Sequence, residues 1–171
     1  MQNPYYLTSQ TVLKYLHSTL KILQKGQAYS VETNIPEGDL MEARLAPDMF
    51  AFKQQIRTIS DNAKGVVARL AGVEIPSFED TEENFDHLMD RIEKTIKFVE
   101  SFTEADFAKS EEEKIILPYF KDKFMTATDY VKDYALANFF FHIVTAYAIL
   151  RNAGVDLGKR DFINGMNLQD L

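Results

Sequence analysis

From Asn138 to Arg151 the chain reads NFFFHIVTAYAILR, an apolar run interrupted by Asn138, His142 and Thr145. Spacings of four and then three place these polar residues on one stripe of a helix. A buried helix with one polar stripe holds either a satisfied hydrogen-bond network or the wall of a site. The helix itself is predicted from Thr126 to Asn152, capped by Thr126 or Thr128 and closed by Gly154. From Tyr134 to Leu150 it is apolar nearly all round. That calls for burial on more than one side, at the centre of a bundle or against a second copy of the chain.

Three amphipathic helices precede it. The first is predicted to start at Thr8 or Ser9, with Leu13, Leu16, Leu20 and Leu23 as its seam and a weak point at Lys25-Gly26. A short helical turn follows over Glu37 to Ala43. The second long helix is introduced by Arg44 to Phe50, with Pro47 in its first turn and Asp48 favouring that end. Met49, Phe52, Ile56, Ile59, Ala63, Val66 and Leu70 alternate at three and four, and Gly72 closes it. Asn62 flanks this seam, either as a surface amide or as a hydrogen-bonded packing residue. After a linker at Pro76 to Glu79, Asp80 and Glu83 have capping-box spacing. The third helix then places Phe85, Leu88, Ile92, Thr95 or Ile96, Val99 and Phe102 on one face, and Asn84, His87, Arg91 and Lys94 on the other. Ile115 to Leu117 and Tyr119 to Met125, turning at Lys121 to Lys123, form a small β-hairpin in the long connection to the last helix, although Pro118 cannot donate in a ladder. The tail from Val155 to Ile163 packs back across the bundle. The pattern is that of an all-α four-helix bundle with up-down helices, a single domain over residues 1–171 with its core over about 8–163.

Composition narrows the partners. The formal net charge of -7 argues against a general nucleic-acid binder. With no cysteine, disulfides, thiolate metal sites and a cysteine nucleophile are excluded. No basic segment followed by an apolar one marks a signal peptide near the start, and the longest apolar run falls short of the roughly 20 residues of a membrane span. The expectation is a cytoplasmic protein with no membrane or nucleic-acid partner.

Candidate chemistry centres on His142. Asn138 and His142 have the i, i+4 spacing of shared ligands, but a carboxamide is a weak ligand for zinc-like ions and one imidazole does not make a metal site. The alternative is a buried histidine hydrogen-bonded to Asn138, Asn62 or a backbone carbonyl. His17 reads as a boundary residue and His87 as a surface one. No phosphate loop or nucleophile elbow is present. Lys64, Lys159 and Arg160 either contact an anion or pair with Asp61, Asp156 and Asp161. Phe139, Phe140, Phe141 and Tyr147 belong to the core or to a dimer interface.

Several stretches together carry a resemblance: Arg44-Leu45-Ala46-Pro47-Asp48-Met49-Phe50, Asn62-Ala63-Lys64-Gly65, Arg69-Leu70-Ala71-Gly72-Val73-Glu74, Asn138 to His142, Thr145 to Arg151, and Leu157-Gly158-Lys159-Arg160-Asp161-Phe162. They are similar to a branch of unknown function in the DinB/YfiT-like superfamily of helical bundles. The likeness covers about Leu13 to Phe162. In that superfamily a divalent ion, often zinc or nickel, is held by three histidines, one from the second helix and two from the fourth. Carried onto this chain, the positions are Asn62, Asn138 and His142, so one imidazole of three remains. The resemblance implies a degenerate metal site, with no cofactor or a weakly held zinc or nickel ion, and a homodimer. The expected function is a small-molecule-binding bundle. The alternatives are a metal-dependent transferase or hydrolase of the thiol-dependent type, and a non-catalytic dimerisation module.

Overall fold

Asn3 begins the first helix of the computed structural model, which describes residues 2–169. Its side chain accepts from the N–H groups of Tyr5 and Tyr6, and Pro4 supplies a helical φ in the first turn. Helix α1 therefore spans Pro4–Thr33 and starts earlier than a Thr8 or Ser9 cap would have it. It also runs through Gly26 unbroken. A Cβ there would stand 2.7 Å from the Phe85 ring, so this glycine is a packing surface and not a helix stop. The buried stripe is Val12, Leu16, Thr19 and Leu23. Leu13 and Leu20 flank it, because α1 is covered from two sides, by α4 and by the tail.

Helix α2 spans Glu37–Glu42, the predicted short turn. Pro47 sits in a separate turn, closed by the Met49 N–H on the Ala46 carbonyl at 3.0 Å and by Arg44 donating to the Met49 carbonyl at 2.6 Å. Helix α3 begins only afterwards and spans Phe52–Ala71, its first N–H donating to the Ala43 carbonyl at 2.9 Å. At its end Gly72 adopts φ 67°, with Val73 N–H reaching back to Ala68 O, so the predicted glycine stop holds. Helix α4 spans Phe85–Glu100. Its cap is Asn84, which accepts from the His87 N–H at 2.8 Å, and not Asp80, whose carboxylate goes to Arg91 at 3.1 Å. Arg91 is accordingly buried rather than on the solvated face assigned to it.

Short 3-10 turns at Glu104–Phe107 and Ser110–Glu112 lead to a hairpin, β1 (Lys114–Ile115) against antiparallel β2 (Met125–Thr126). It is shorter than expected, and the ladder ends before Pro118. Thr126 caps the last helix, accepting from the Asp129 N–H. The helix continues as α5 (Ala127–Asp129), a π turn (Tyr130–Ala135) and α6 (Leu136–Asn152). Gly154 follows with φ 106°, and Val155 N–H bonds to Leu150 O at 3.0 Å. The whole stretch Ala127–Asn152 is long and apolar enough to cross a membrane by length and composition, which corrects the expectation that no run reaches that measure. A central bundle helix meets the same measure, and Phe139, Ile143, Ala146 and Leu150 lie in the core. The tail forms α7 (Lys159–Ile163) and packs on α1 as expected, with Ser18 donating to the Asp161 and Phe162 carbonyls.

The bundle is all-α, and its direction pattern follows from cross-helix contacts. Phe52 meets Phe85 and Ser60 bonds to Thr95, so α3 and α4 run parallel. Arg69 reaches Tyr130 while Gln55 reaches His142, so α3 and α6 are antiparallel. Tyr5 reaches Thr128 and Tyr15 meets Phe140, so α1 and α6 are parallel. The long helices thus run up, down, down, up, a refinement of plain up-down alternation. Parallel neighbours need a crossover of about one helix length. The irregular segment 72–84 supplies it, since non-helical chain can cover up to roughly 3.3 Å per residue against 1.5 Å in a helix.

Candidate functional site

The polar stripe of α6 faces α3. Asn138 Nδ2 donates to Asn62 Oδ1 at 3.0 Å and, more weakly, to the Tyr134 hydroxyl at 3.4 Å. Asn62 Nδ2 is buried without a hydrogen-bond partner among the described residues. Reversing one amide would set two donors or two acceptors against each other, and reversing both would leave Asn62 Oδ1 in the vacant position. His142 is held elsewhere: its Nδ1 lies 2.7 Å from Gln55 Oε1. Gln55 Nε2 donates to the Phe50 carbonyl at 3.1 Å, which fixes the Gln55 oxygen as acceptor and makes His142 Nδ1 the protonated nitrogen. The imidazole is 8 % exposed, stacked on Phe50 and touched at its edge by Phe141. Burial lowers its pKa from the ordinary value, which keeps it neutral. Thr145, the third polar residue of the stripe, donates back to its own helix at Phe141 O.

Asn62, Asn138 and His142 thus lie along the α3–α6 interface, but only the two asparagines bond to each other. Neither they nor a backbone carbonyl take the histidine. Gln55 does, and it went unremarked although it lies seven residues before Asn62 and so occupies the same place in the 3-4 seam. The donor set does not suit the divalent ion implied by the resemblance. Asn62 and Asn138 spend an oxygen and an amide hydrogen on each other, one imidazole is present, and no carboxylate joins them. Among the described residues no group of three His, Cys, Asp or Glu is placed to hold a metal.

A cavity of about 340 Å³ opens beside the amide pair. Asn62, Lys64 and Arg69 of α3 form one side, Tyr130 and Tyr134 of the π turn another, and Phe78 of the crossover a third. A π turn is wider than an α turn, and here it stacks the Tyr130 and Tyr134 rings with centroids 6.1 Å apart on the side facing α3. Burial pushes both phenols above their usual pKa, so both are neutral. Arg69 Nη1 donates to the Tyr130 hydroxyl at 3.3 Å. Arg69 reaches that position by folding back over Gly65, where a Cβ would collide with the guanidinium. Lys64 is buried, pairs with Asp61 at 3.0 Å as one reading had it, donates to the Pro76 carbonyl at 3.0 Å, and lies over the Phe78 ring. Lys159 and Arg160 are exposed on α7, and Asp161 pairs with Lys25. The signals for Arg69, Tyr130 and Tyr134 were weak in sequence. No helical period brings α3 and the π turn together without the fold.

On the other face of α3 the crossover is fastened by charge. Arg57 and Arg91 both bond to Glu82, at 2.7 and 2.8 Å, and Arg91 also reaches Asp61 and Asp80. Burial works against the Glu82 charge, but hydrogen bonds from Arg91 and Arg57 outweigh it and hold the carboxyl below its usual range. His87 is exposed, as expected, and His17, expected at the boundary of the seam, is exposed as well. The aromatic run divides by depth. Phe139 is 0 % exposed, Phe140 packs on Tyr15, and Phe141 is 56 % exposed. Phe139 is thus core and not interface.

A family model described as a domain of unknown function, DUF1993, matches residues 5–163. The chain is also similar, at 34 % identity, to a crystal structure of a DinB family member protein from Shewanella denitrificans. That likeness covers 98 % of this chain and 95 % of the other, with a TM-score of 0.93. No curated protein matches.

Proposed function

The chain belongs to the DUF1993 family of DinB-like helical bundles, and from that premise we propose that it binds a small molecule in the cavity beside Asn62 and Asn138, without a resident metal. One observation carries the reading. Where a three-histidine site would present lone pairs to an ion, this chain has an amide pair bonded to itself, next to a cavity of about 340 Å³. That volume falls within the range of small-ligand pockets. The test has two arms. Untagged protein incubated with zinc, nickel or manganese and then dialysed is expected to hold far less than one equivalent by elemental analysis; near-stoichiometric metal overturns the metal-free reading in favour of a metal-dependent transferase or hydrolase. A screen of neutral and charged fragments by amide chemical shift is expected to perturb Asn62, Tyr134 and their neighbours. A screen without such hits overturns the binding reading.

A second reading concerns self-association, and its support is a contiguous apolar surface. Phe50, Phe141 and Val144 are each about half exposed, and the two phenylalanines flank the His142 ring. Isolated exposed apolar residues are ordinary, but a cluster of this kind fits an interface. The homodimer is read as forming there, in a cysteine-free protein of the cytoplasm. Phe141→Glu is expected to lower the sedimenting mass to that of a monomer; an unchanged mass excludes this face.

A further inference from the structure

We infer that the ligand of this cavity is a small organic anion, a carboxylate or phosphate on a flat apolar body, bound through Arg69. The inference rests on the binding reading above and gives it a chemical class.

The argument is a tally of donors and acceptors. On the neighbouring face of α3, Arg57, Arg91 and Lys64 are matched by Glu82, Asp61 and Asp80. Asp61, the acid that lines the cavity, is taken by Lys64 and Arg91, each at 3.0 Å. Arg69 is left over. Among the described residues no carboxylate lies within ion-pair reach of it, and its one side-chain partner is the neutral Tyr130 hydroxyl. That hydroxyl accepts from Arg69, so its own proton is free to donate, and it meets no acceptor among the described residues. Tyr134 receives the Asn138 N–H and is itself hydrogen-bonded to Tyr119 at the cavity wall, so its proton is not counted as free. The cavity therefore offers a guanidinium and the Tyr130 proton and no uncommitted acid. A site with surplus donors and one surplus positive charge is completed by an acceptor that carries negative charge.

The geometry adds selectivity. Arg69 lies folded along Gly65, which fixes its planar fork and lowers the ordering cost of binding. Beside the polar Ser77 and Tyr119, part of the remaining wall is apolar, with the flat rings of Tyr130, Tyr134 and Phe78 next to Ile75 and Leu117. This suits a ring or a short planar chain behind the anionic group. The charge is local: the whole chain carries -7, so simple attraction of anions to the surface does not explain a site here.

The experiment uses the full chain with benzoate and phenyl phosphate as anionic probes and benzamide as the neutral isostere of benzoate, followed by amide chemical shifts and calorimetry. At least one anion is expected to saturate the site and shift Asn62, Tyr130 and Tyr134, with benzamide at least about tenfold weaker. Arg69→Gln is expected to lose that preference, and Tyr130→Phe, which removes one oxygen and leaves the ring packing, to weaken the anion about threefold. Gly65→Ala keeps every charge but displaces the guanidinium, and is expected to weaken the anion as well. If benzamide binds as tightly as the anions, the inferred class is wrong while the binding reading stands. If no probe and no screened fragment binds, both fall. Saturable anion binding that survives Arg69→Gln unchanged also overturns the inference.

Discussion

Helix α3 carries two buried polar faces, and they are built differently. Toward α4 and the crossover, cations and carboxylates are matched one for one, with only Arg91 Nε left unpaired among the described residues, and the side chains hold an otherwise irregular segment in place. Toward α6 the groups are amides, a neutral imidazole and phenols, and among the described residues the Asn62 NH2 has no partner and Arg69 no counter-ion. A buried polar cluster that is matched acts as a brace, because removing any member strands the rest. One that is incomplete does little for stability and leaves bonding capacity for a ligand. The contrast separates scaffold from site on a single helix.

The largest expected effect lies on the brace. Glu82→Gln leaves Arg57 and Arg91 buried without their shared carboxylate, which is expected to cost about 3–5 kcal/mol in urea unfolding. A loss under about 1 kcal/mol would erase the contrast. The next effect is a pH dependence on the α6 side. Burial lowers the folded pKa of His142 below its ordinary 6.5. As pH falls below about 6.5 the unfolded chain takes a proton that the folded chain refuses, so stability is full above this point and declines on acidification until the folded pKa is passed. His142→Gln is expected to flatten that part of the profile, while a profile equally steep in the variant assigns it to other groups. Glu82 contributes in a lower window: its depressed pKa means stability present above the ordinary carboxylate range and lost as pH falls through the folded value. Depth separates the aromatic pair, with the core member as costly as the brace. Phe139→Ala is expected to cost about 3–5 kcal/mol, whereas Phe141→Ala should stay within about 0.5 kcal/mol in the monomer.

Much of the fold was legible because it depends on local pattern. The apolar periods of α3, α4 and α6 and the glycine stops at Gly72 and Gly154 are set by neighbours in sequence. The cap at Asn84 and the separate turn at Pro47 were not, since each depends on a partner brought by the tertiary fold, Arg91 drawing Asp80 away and Ala43 serving the α3 end. Helix direction was hidden for the same reason: the crossover has no helical pattern, and buried arginines, not a hydrophobic period, fasten it. At the site, periodicity found the α6 stripe and Asn62. It missed the tyrosines of the π turn, because a π turn breaks the period by which sequence is read, and it passed over Arg69 and Gln55 on α3, although Gln55 shares the seam position of Asn62.

The most direct measurement is the unfolding free energy of the double variant Asn62→Leu with Asn138→Leu, set beside Glu82→Gln under the same conditions. If the α3–α6 polar face is a site and not a brace, replacing both amides removes a bond and an orphaned NH2 together. Stability should then stay within about 1 kcal/mol of the parent, with the fragment shifts at Tyr134 abolished. A loss of about 3 kcal/mol or more, comparable to that expected for Glu82→Gln, would show that the amide pair holds the bundle together and would contradict the account.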